Sequence, residues 1–208
     1  MSAITSTQNW VQCEHAEELK AIHKTDRNIA IWKRSIDNLT EELKSLPTDG
    51  IQIRVIGDIE TILVTTTNVL NHRSHGALVE DINHLLEVFE SVSGAKKFKV
   101  FLGTVYTDMC RRFHYDMNDL RLLCTYSGPG TLWLTEDNLN RCALENLEGN
   151  ESIVPDFSEI RQVETGHVAI LKGGRYRGKK TKAVVHRSPT IEEGGGARLL
   201  LRIDTNEL

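Results

Sequence analysis

A histidine and an aspartate stand two residues apart in Cys110-Arg-Arg-Phe-His114-Tyr-Asp116. The segment reads as a strand, where side chains at i and i+2 leave the same face, so the pair can converge on one ion. His186, within Ala183-Val-Val-His-Arg-Ser-Pro189, offers a third donor. Two histidines and one carboxylate leave coordination positions open, the facial arrangement that suits non-haem Fe(II). Cys110 would share the strand face of His114 and Asp116. As a thiolate ligand it would favour zinc; otherwise it reads as a small buried hydrophobe.

Two arginines bear on the same chemistry. Arg198 and Arg202 in Arg198-Leu-Leu-Leu-Arg-Ile-Asp204 share one strand face, with Leu199, Leu201 and Ile203 on the other. An unpaired guanidinium in such a strand costs several kcal/mol, so each needs a carboxylate. Asp204 or Glu164 could supply it. So could the far carboxylate of a dicarboxylic co-substrate whose near end chelates the metal, held in the planar fork of the arginine. Glu192-Glu-Gly-Gly-Gly196 can fold Val184 to Leu200 into a hairpin, setting Arg198 opposite His186. Thr131, just after the turn Ser127-Gly-Pro-Gly130, is placed to hydrogen-bond a co-substrate carboxylate.

The elements that must position these residues fall into two halves. Residues 1–27 form a polar N-terminal segment with a helical candidate at Glu14 to His23, and residues 28–208 a single metal-binding domain. A strand is expected at Asn28 to Arg34 and a helix at Ile36 to Leu46. Ile51 to Ile56 reads as strand or as the start of a helix, and Thr65-Thr-Thr67 favours extended structure. Leu78, Ile82, Leu85, Leu86, Phe89 and Val92 make one apolar stripe, the strongest helix in the chain, stopped at Ser93-Gly94. His84 lies off that stripe and reads as a solvated histidine. From Lys97 the period changes to two. Strands are expected at Phe98 to Tyr106, Leu120 to Tyr126, Val168 to Leu171, Lys182 to His186 and Arg198 to Asp204, with a helix near Glu136 to Leu144 capped by Thr135. Helices first and many short strands after imply an α+β fold, N-terminal helices packed on a second half that closes into an antiparallel barrel or sandwich.

Composition narrows the function classes. At 208 residues, 39% hydrophobic, 26% charged and with a net charge of −4, the chain has no balance that demands nucleic acid or a membrane surface. No apolar run approaches the ~20 residues of a membrane span, and the polar start lacks the apolar centre of a signal peptide. Cys13, Cys110, Cys124 and Cys142 form no CxxC pair, so they read as reduced thiols of a cytoplasmic protein. Cys124 and Trp133 read as core, and Cys13-x-His15 as solvated surface. The cation-rich Lys172 to Lys182 reads as a solvated loop that could steer an anion.

His114-x-Asp116, then His186, then Arg198 on the following strand, resembles the Fe(II)/2-oxoglutarate oxygenases. That resemblance implies a double-stranded β-helix (cupin-like barrel), with His114, Asp116 and His186 as ligands and Arg198, or else Arg202, holding 2-oxoglutarate. A second resemblance rests on longer stretches: Cys110 to Asp116, Leu120 to Trp133, Ala169 to Gly173 and Val185 to Pro189. These are similar to a bacterial family labelled domain of unknown function 1826. Its members are often encoded beside zinc-uptake and zinc-sparing genes, which implies a metal connection without naming a reaction. The reading is an Fe(II)/2-oxoglutarate-dependent dioxygenase acting on an unassigned small molecule or peptide. The alternative is a non-enzymatic zinc-binding protein of metal homeostasis, and a third reading is a β-domain that only binds. A homo-oligomer is left open.

Overall fold

Alternating side chains make both Phe98–Val105 (β4) and Arg198–Thr205 (β10) two-faced, and the two strands pair antiparallel along their whole length. The structure, a computed structural model, describes residues 8–47, 49–70, 74–176, 182–192 and 196–205. The remaining strands are Trp10–Cys13 (β1), Ile29–Trp32 (β2), Gln52–Gly57 (β3), Leu120–Ser127 (β5), Leu132–Trp133 (β6), Arg161–Gln162 (β7), Val168–Lys172 (β8) and His186–Arg187 (β9). Seven form a large sheet ordered β1-β2-β8-β5-β10-β4-β3, antiparallel except for β1 on β2. The small sheet is ordered β7-β6-β9, and His114 adds an antiparallel bridge to His186 on β9. From β4 onward the chain crosses between the sheets: large, the His114 bridge, large, small twice, large, small, large. The protein is therefore α+β, built on a large, mostly antiparallel sheet.

One face of the large sheet shares its core with the helical first half. All six stripe residues of α3 (Gly76–Ser93) lie in one cluster with Val100, Leu102, Leu122, Leu199, Leu201 and Ile203. Gly94 closes α3 in the left-handed conformation, φ +70°, its N–H bonded to Glu90 O at 2.8 Å. The other face packs Phe101, Leu123, Leu171 and Leu200 with Trp133 and Val163. The site opens on that second face.

Several elements depart from the sequence reading. Ile51 to Ile56 is strand, but Thr65-Thr-Thr67 lies inside helix α2 (Ile59–Leu70). Helical threonine costs about 0.7 kcal/mol per residue or less, whereas burying each of Ile62 and Leu70 contributes about 1.5–3 kcal/mol. Packing wins, and Thr65 and Thr66 donate back to the carbonyls of Thr61 and Ile62 at 2.9 and 2.8 Å. The helix expected over Ile36 to Leu46 shortens to a 3-10 turn and α1 (Thr40–Lys44). The one near Glu136 breaks into a 3-10 turn and α4 (Arg141–Glu145). Thr135 gives no side-chain cap there, and Asn140 caps α4 instead. Residues 150–153 form a further turn of helix, α5. Near the N-terminus, β1 precedes a 3-10 helix over Ala16–His23. Cys13 is accordingly buried rather than solvated, its thiol pushed up to about 11 by burial and by Glu18 and Glu14. His84 is exposed, while Cys124 and Trp133 are buried.

The hairpin over Val184 to Leu200 does not form. β9 pairs with β6 in the small sheet, whereas β10 lies between β4 and β5 in the large one. An eight-residue apolar strand satisfies both its backbone edges between two long neighbours, which a two-residue strand cannot offer. Of the basic run, residues 177–181 lie outside the described residues. Lys172 is buried rather than solvated, its Nζ bonded to Lys24 O at 2.9 Å. No helix among the described residues is long and apolar enough to cross a membrane.

A buried polar knot fixes α3 to the large sheet. Arg34 grips Asp81 of α3 with two bonds of 2.5 and 2.8 Å, and Tyr126 of β5 donates to the same carboxylate at 2.7 Å. Asp81→Ala strands a buried guanidinium, so it is expected to cost about 3 kcal/mol. Urea unfolding checks this; a loss under 1 kcal/mol would contradict the assignment.

Candidate metal centre

His114 and His186 are brought face to face by backbone pairing. The His114 N–H donates to His186 O at 3.0 Å and the His186 N–H to His114 O at 2.8 Å, leaving the ring centroids 4.8 Å apart. Asp116 follows on irregular chain rather than on the expected strand. Gly174 N–H bonds Asp116 O at 2.7 Å and Gly173 N–H bonds Asp119 O at 2.9 Å, so the turn after β8 clamps this loop. A Cβ on Gly173 would stand 2.0 Å from Asn118 Oδ1, which explains glycine there.

The result is a compact donor set. His186 Nε2 lies 3.1 Å from Asp116 Oδ2, His114 Nε2 lies 4.0 Å from Asp116 Oδ1, and one donor from each residue falls within 4.8 Å of the others. A small closing motion of the rings would bring all three within reach of a divalent ion at about 2.1 Å. His114 Nδ1 sits 3.0 Å from Arg112 O. A carbonyl only accepts, so the proton is on Nδ1 and Nε2 keeps its lone pair for an ion. Burial and the neighbouring His186 hold the His114 pKa below its ordinary value, against Arg112 O and Asp116. Burial works to raise the Asp116 carboxyl, but the hydrogen bond and charge of His186, with Arg121, hold it well below the usual carboxylate range. Both directions favour the forms in which these two groups ligate a metal, a neutral imidazole at His114 and a charged carboxylate at Asp116.

Arg121, Asn118, Arg112, Phe113 and Asn150, which the sequence reading did not single out, hold this set in place together with Asp204. Arg121 on β5 bonds Asp116 through Nη1 and grips Asp204 through Nε and Nη2 at 2.6 and 3.2 Å. Asn118 Nδ2 donates to Asp204 Oδ1 at 2.9 Å. The turn carrying α4 and α5 buttresses His114: Phe113 is fully buried against it, Phe113 N–H donates to Asn150 Oδ1 at 2.8 Å, and Arg112 Nε donates to Glu148 O at 2.8 Å. The signal for Arg121 was present in the sequence, an arginine inside an apolar strand. For Asn150 there was none.

A small cleft opens beside the histidines, lined by His114, His186, Thr131, Arg198, Leu200 and Arg202 among others. Arg198 is 3% exposed, and its Nε and Nη1 have no hydrogen-bond partner. Burial pushes it down to about 10, against the pull of Cys110. No ion pair joins it to Glu164 or any other carboxylate among the described residues. Arg202 lies 3.3 Å from Asp204. Cys110 is exposed at the cleft and stands outside the donor cluster, neither ligand nor buried filler. Without a sulfur donor, the set lacks the soft ligand that would select zinc over iron.

The fold and the donor set together define an α+β protein of two sheets with a His-Asp-His cluster at the cleft. Residues 13–204 match the family described as Protein of unknown function (DUF1826), and the chain belongs to that family. No curated protein matches it. Among solved structures, it is similar to AtDAO1, dioxygenase for auxin oxidation 1 from Arabidopsis thaliana, in complex with 2-oxoglutarate. That likeness has 9% identity and a TM-score of 0.56, covering 96% of this chain and 92% of that one. A protein from Shewanella oneidensis described as a candidate oxygenase gives 13% identity and a TM-score of 0.51, covering 95% and 89%. At these identities the likeness is one of fold.

Removing the group that aims Asp116 tests the centre. Arg121→Gln is expected to weaken divalent metal binding about 10–100-fold, the usual effect of losing a partner behind a ligand. Anaerobic Fe(II) competition titration measures it, and unchanged affinity would contradict the role of Arg121.

Proposed function

We propose that this protein is an Fe(II)/2-oxoglutarate-dependent oxygenase that hydroxylates or oxidises a second substrate. His114, Asp116 and His186 would hold the iron, and Arg198 would take the far carboxylate of 2-oxoglutarate, with Thr131 on the wall of the same cleft. The observation that carries this reading is the Arg198 guanidinium, buried without a partner in the cleft that holds the donor cluster. Burying such a group unpaired costs several kcal/mol, a cost that a bound carboxylate offsets. The strand order supports it. β4-β10-β5-β8 in one sheet, facing His114-β9-β6-β7 in the other, is the order of a double-stranded β-helix.

Iron and 2-oxoglutarate, when bound, would supply dioxygen activation, with decarboxylation of the co-substrate coupled to oxidation of the other substrate. The chain's own residues position and select. Arg112 O holds the Nδ1 proton of His114, Arg121 keeps Asp116 charged, and Arg198 orients a carboxylate. Leu123 and Leu200 make part of the wall apolar, which limits water beside the donors. Four free thiols support a reducing compartment, and we place the protein in the cytoplasm.

Anaerobic addition of Fe(II) and 2-oxoglutarate should give a weak visible charge-transfer band. His114→Ala should abolish it and His84→Ala should leave it intact. Arg198→Gln should weaken 2-oxoglutarate at least tenfold while Fe(II) still binds. Iron bound with no response to 2-oxoglutarate would overturn the proposal.

A further inference from the structure

The face of the large sheet that carries the cleft continues past it. In register across three neighbouring strands stand Arg54 of β3, Phe101 of β4 and Arg202 of β10. Side chains paired in this way leave the same face of a sheet, so the three form one row running outward from the cleft wall at Arg202. The outer end of the row is open. Gln52, Arg54 and Ile56, alternate residues of β3 on this face, are all exposed, whereas Ile53, on the opposite face, is buried. The result is a shelf that begins inside the cleft and ends in solvent.

The chemistry of the shelf is specific. Phe101, 3% exposed, is flanked by two guanidiniums, with Arg54 Cζ 4.5 Å and Arg202 Cζ 5.6 Å from its ring centroid. Gly103 leaves room for the ring, since a Cβ there would stand 2.7 Å from Phe101 Cζ. Arg54 has no carboxylate partner among the described residues. Arg202 has only Asp204, which Arg121 already grips with two bonds. Its Nε lies 3.3 Å from that carboxylate but without hydrogen-bond geometry. Two like charges held beside one ring repel each other, and a bound anion would relieve that.

Charge balance points the same way. Arg54, Arg121, Arg198, Arg202 and the exposed Lys99, which pairs with Asp204 across β4 and β10, stand against Asp116 and Asp204. A divalent metal and a dianionic co-substrate would cancel each other, so the positive surplus would survive loading of the site.

We infer that Arg54 and Arg202, held on Phe101, form an oxyanion-binding shelf that receives a carboxylate or phosphate group of the second substrate. The inference rests on the oxygenase reading for the name of that substrate, but the shelf and its test do not. Guanidiniums suit this task because their planar forks match carboxylate and phosphate oxygens. A shelf one strand beyond the cleft wall would let the anionic end stay near solvent while the rest of the substrate reached toward the donors.

Phenyl phosphate, benzoate and the neutral benzyl alcohol serve as probes, titrated calorimetrically into the full chain with EDTA present so that no metal contributes. The expected result is binding of one or both anions in preference to the alcohol. Arg54→Gln and Arg202→Gln should each weaken it at least tenfold, both in the otherwise unaltered chain and in an Arg198→Gln background where the co-substrate pocket cannot contribute. Phenyl phosphate binding alone would identify a phosphate site, and equal binding of benzoate a general carboxylate or phosphate site. Arg54 is exposed, so its variant should fold and keeps the test decisive if the Arg202 variant does not. No anion binding, alcohol binding as tight as either anion, or indifference to Arg54→Gln would overturn the inference. Loss of anion binding in Arg198→Gln alone would assign the anion to the co-substrate pocket and also overturn it. The charge-transfer experiment fails or succeeds independently of these outcomes.

Discussion

The candidate site depends on one carboxylate being kept charged and aimed. Asp116 sits on irregular chain, where no ladder of backbone bonds fixes its direction. Its position comes instead from Arg121 on one side and His186 on the other. Arg121 can do this because Asp204, at the end of the central strand β10, holds the guanidinium from behind. A long strand of the large sheet thus reaches through two ion pairs to a donor that belongs to neither sheet. Buried pairs of this kind contribute little net stability, but losing one member leaves an uncompensated charge, so the arrangement is rigid more than it is strong.

Around that constraint the rest of the molecule divides its labour. The helical half covers one face of the large sheet with an apolar cluster that contains all of the α3 stripe. This frees the opposite face for polar work. There the sheet carries a row of residues whose charges would be intolerable in a closed core: Arg198, Arg202 and Asp204 on β10, and Arg121 on β5. The small sheet supplies His186 and, through backbone pairing, His114. Each sheet alone holds only part of a site, and the cleft exists because they face each other.

The chain belongs to the DUF1826 family and is similar in fold to AtDAO1, a dioxygenase solved with 2-oxoglutarate. Neither likeness assigns a substrate. The positive surplus on the cleft face does constrain it, because a fixed field of one sign selects among small molecules before any close contact forms.

Much of this was legible in the residues. Period-two alternation announced β4, β5, β8 and β10, the six-residue stripe announced α3, and the opposition of Arg198 and Arg202 to Leu199, Leu201 and Ile203 was visible in β10. These are local properties, fixed by side-chain direction along a strand or helix. Spacing also nominated His114, Asp116, His186 and Arg198, since few residue types bind a metal or fork onto a carboxylate. Tertiary structure alone decided which strands are neighbours, and here it put β9 and β10 in different sheets. It decided that Thr65 to Thr67 turn in a helix, because buried Ile62 and Leu70 outweigh local preference. It also decided that Arg121 and Asp204, 83 positions apart, serve one carboxylate. Pairing between distant segments is settled by the total area buried and the backbone bonds satisfied across the whole fold. No short window of sequence contains that sum.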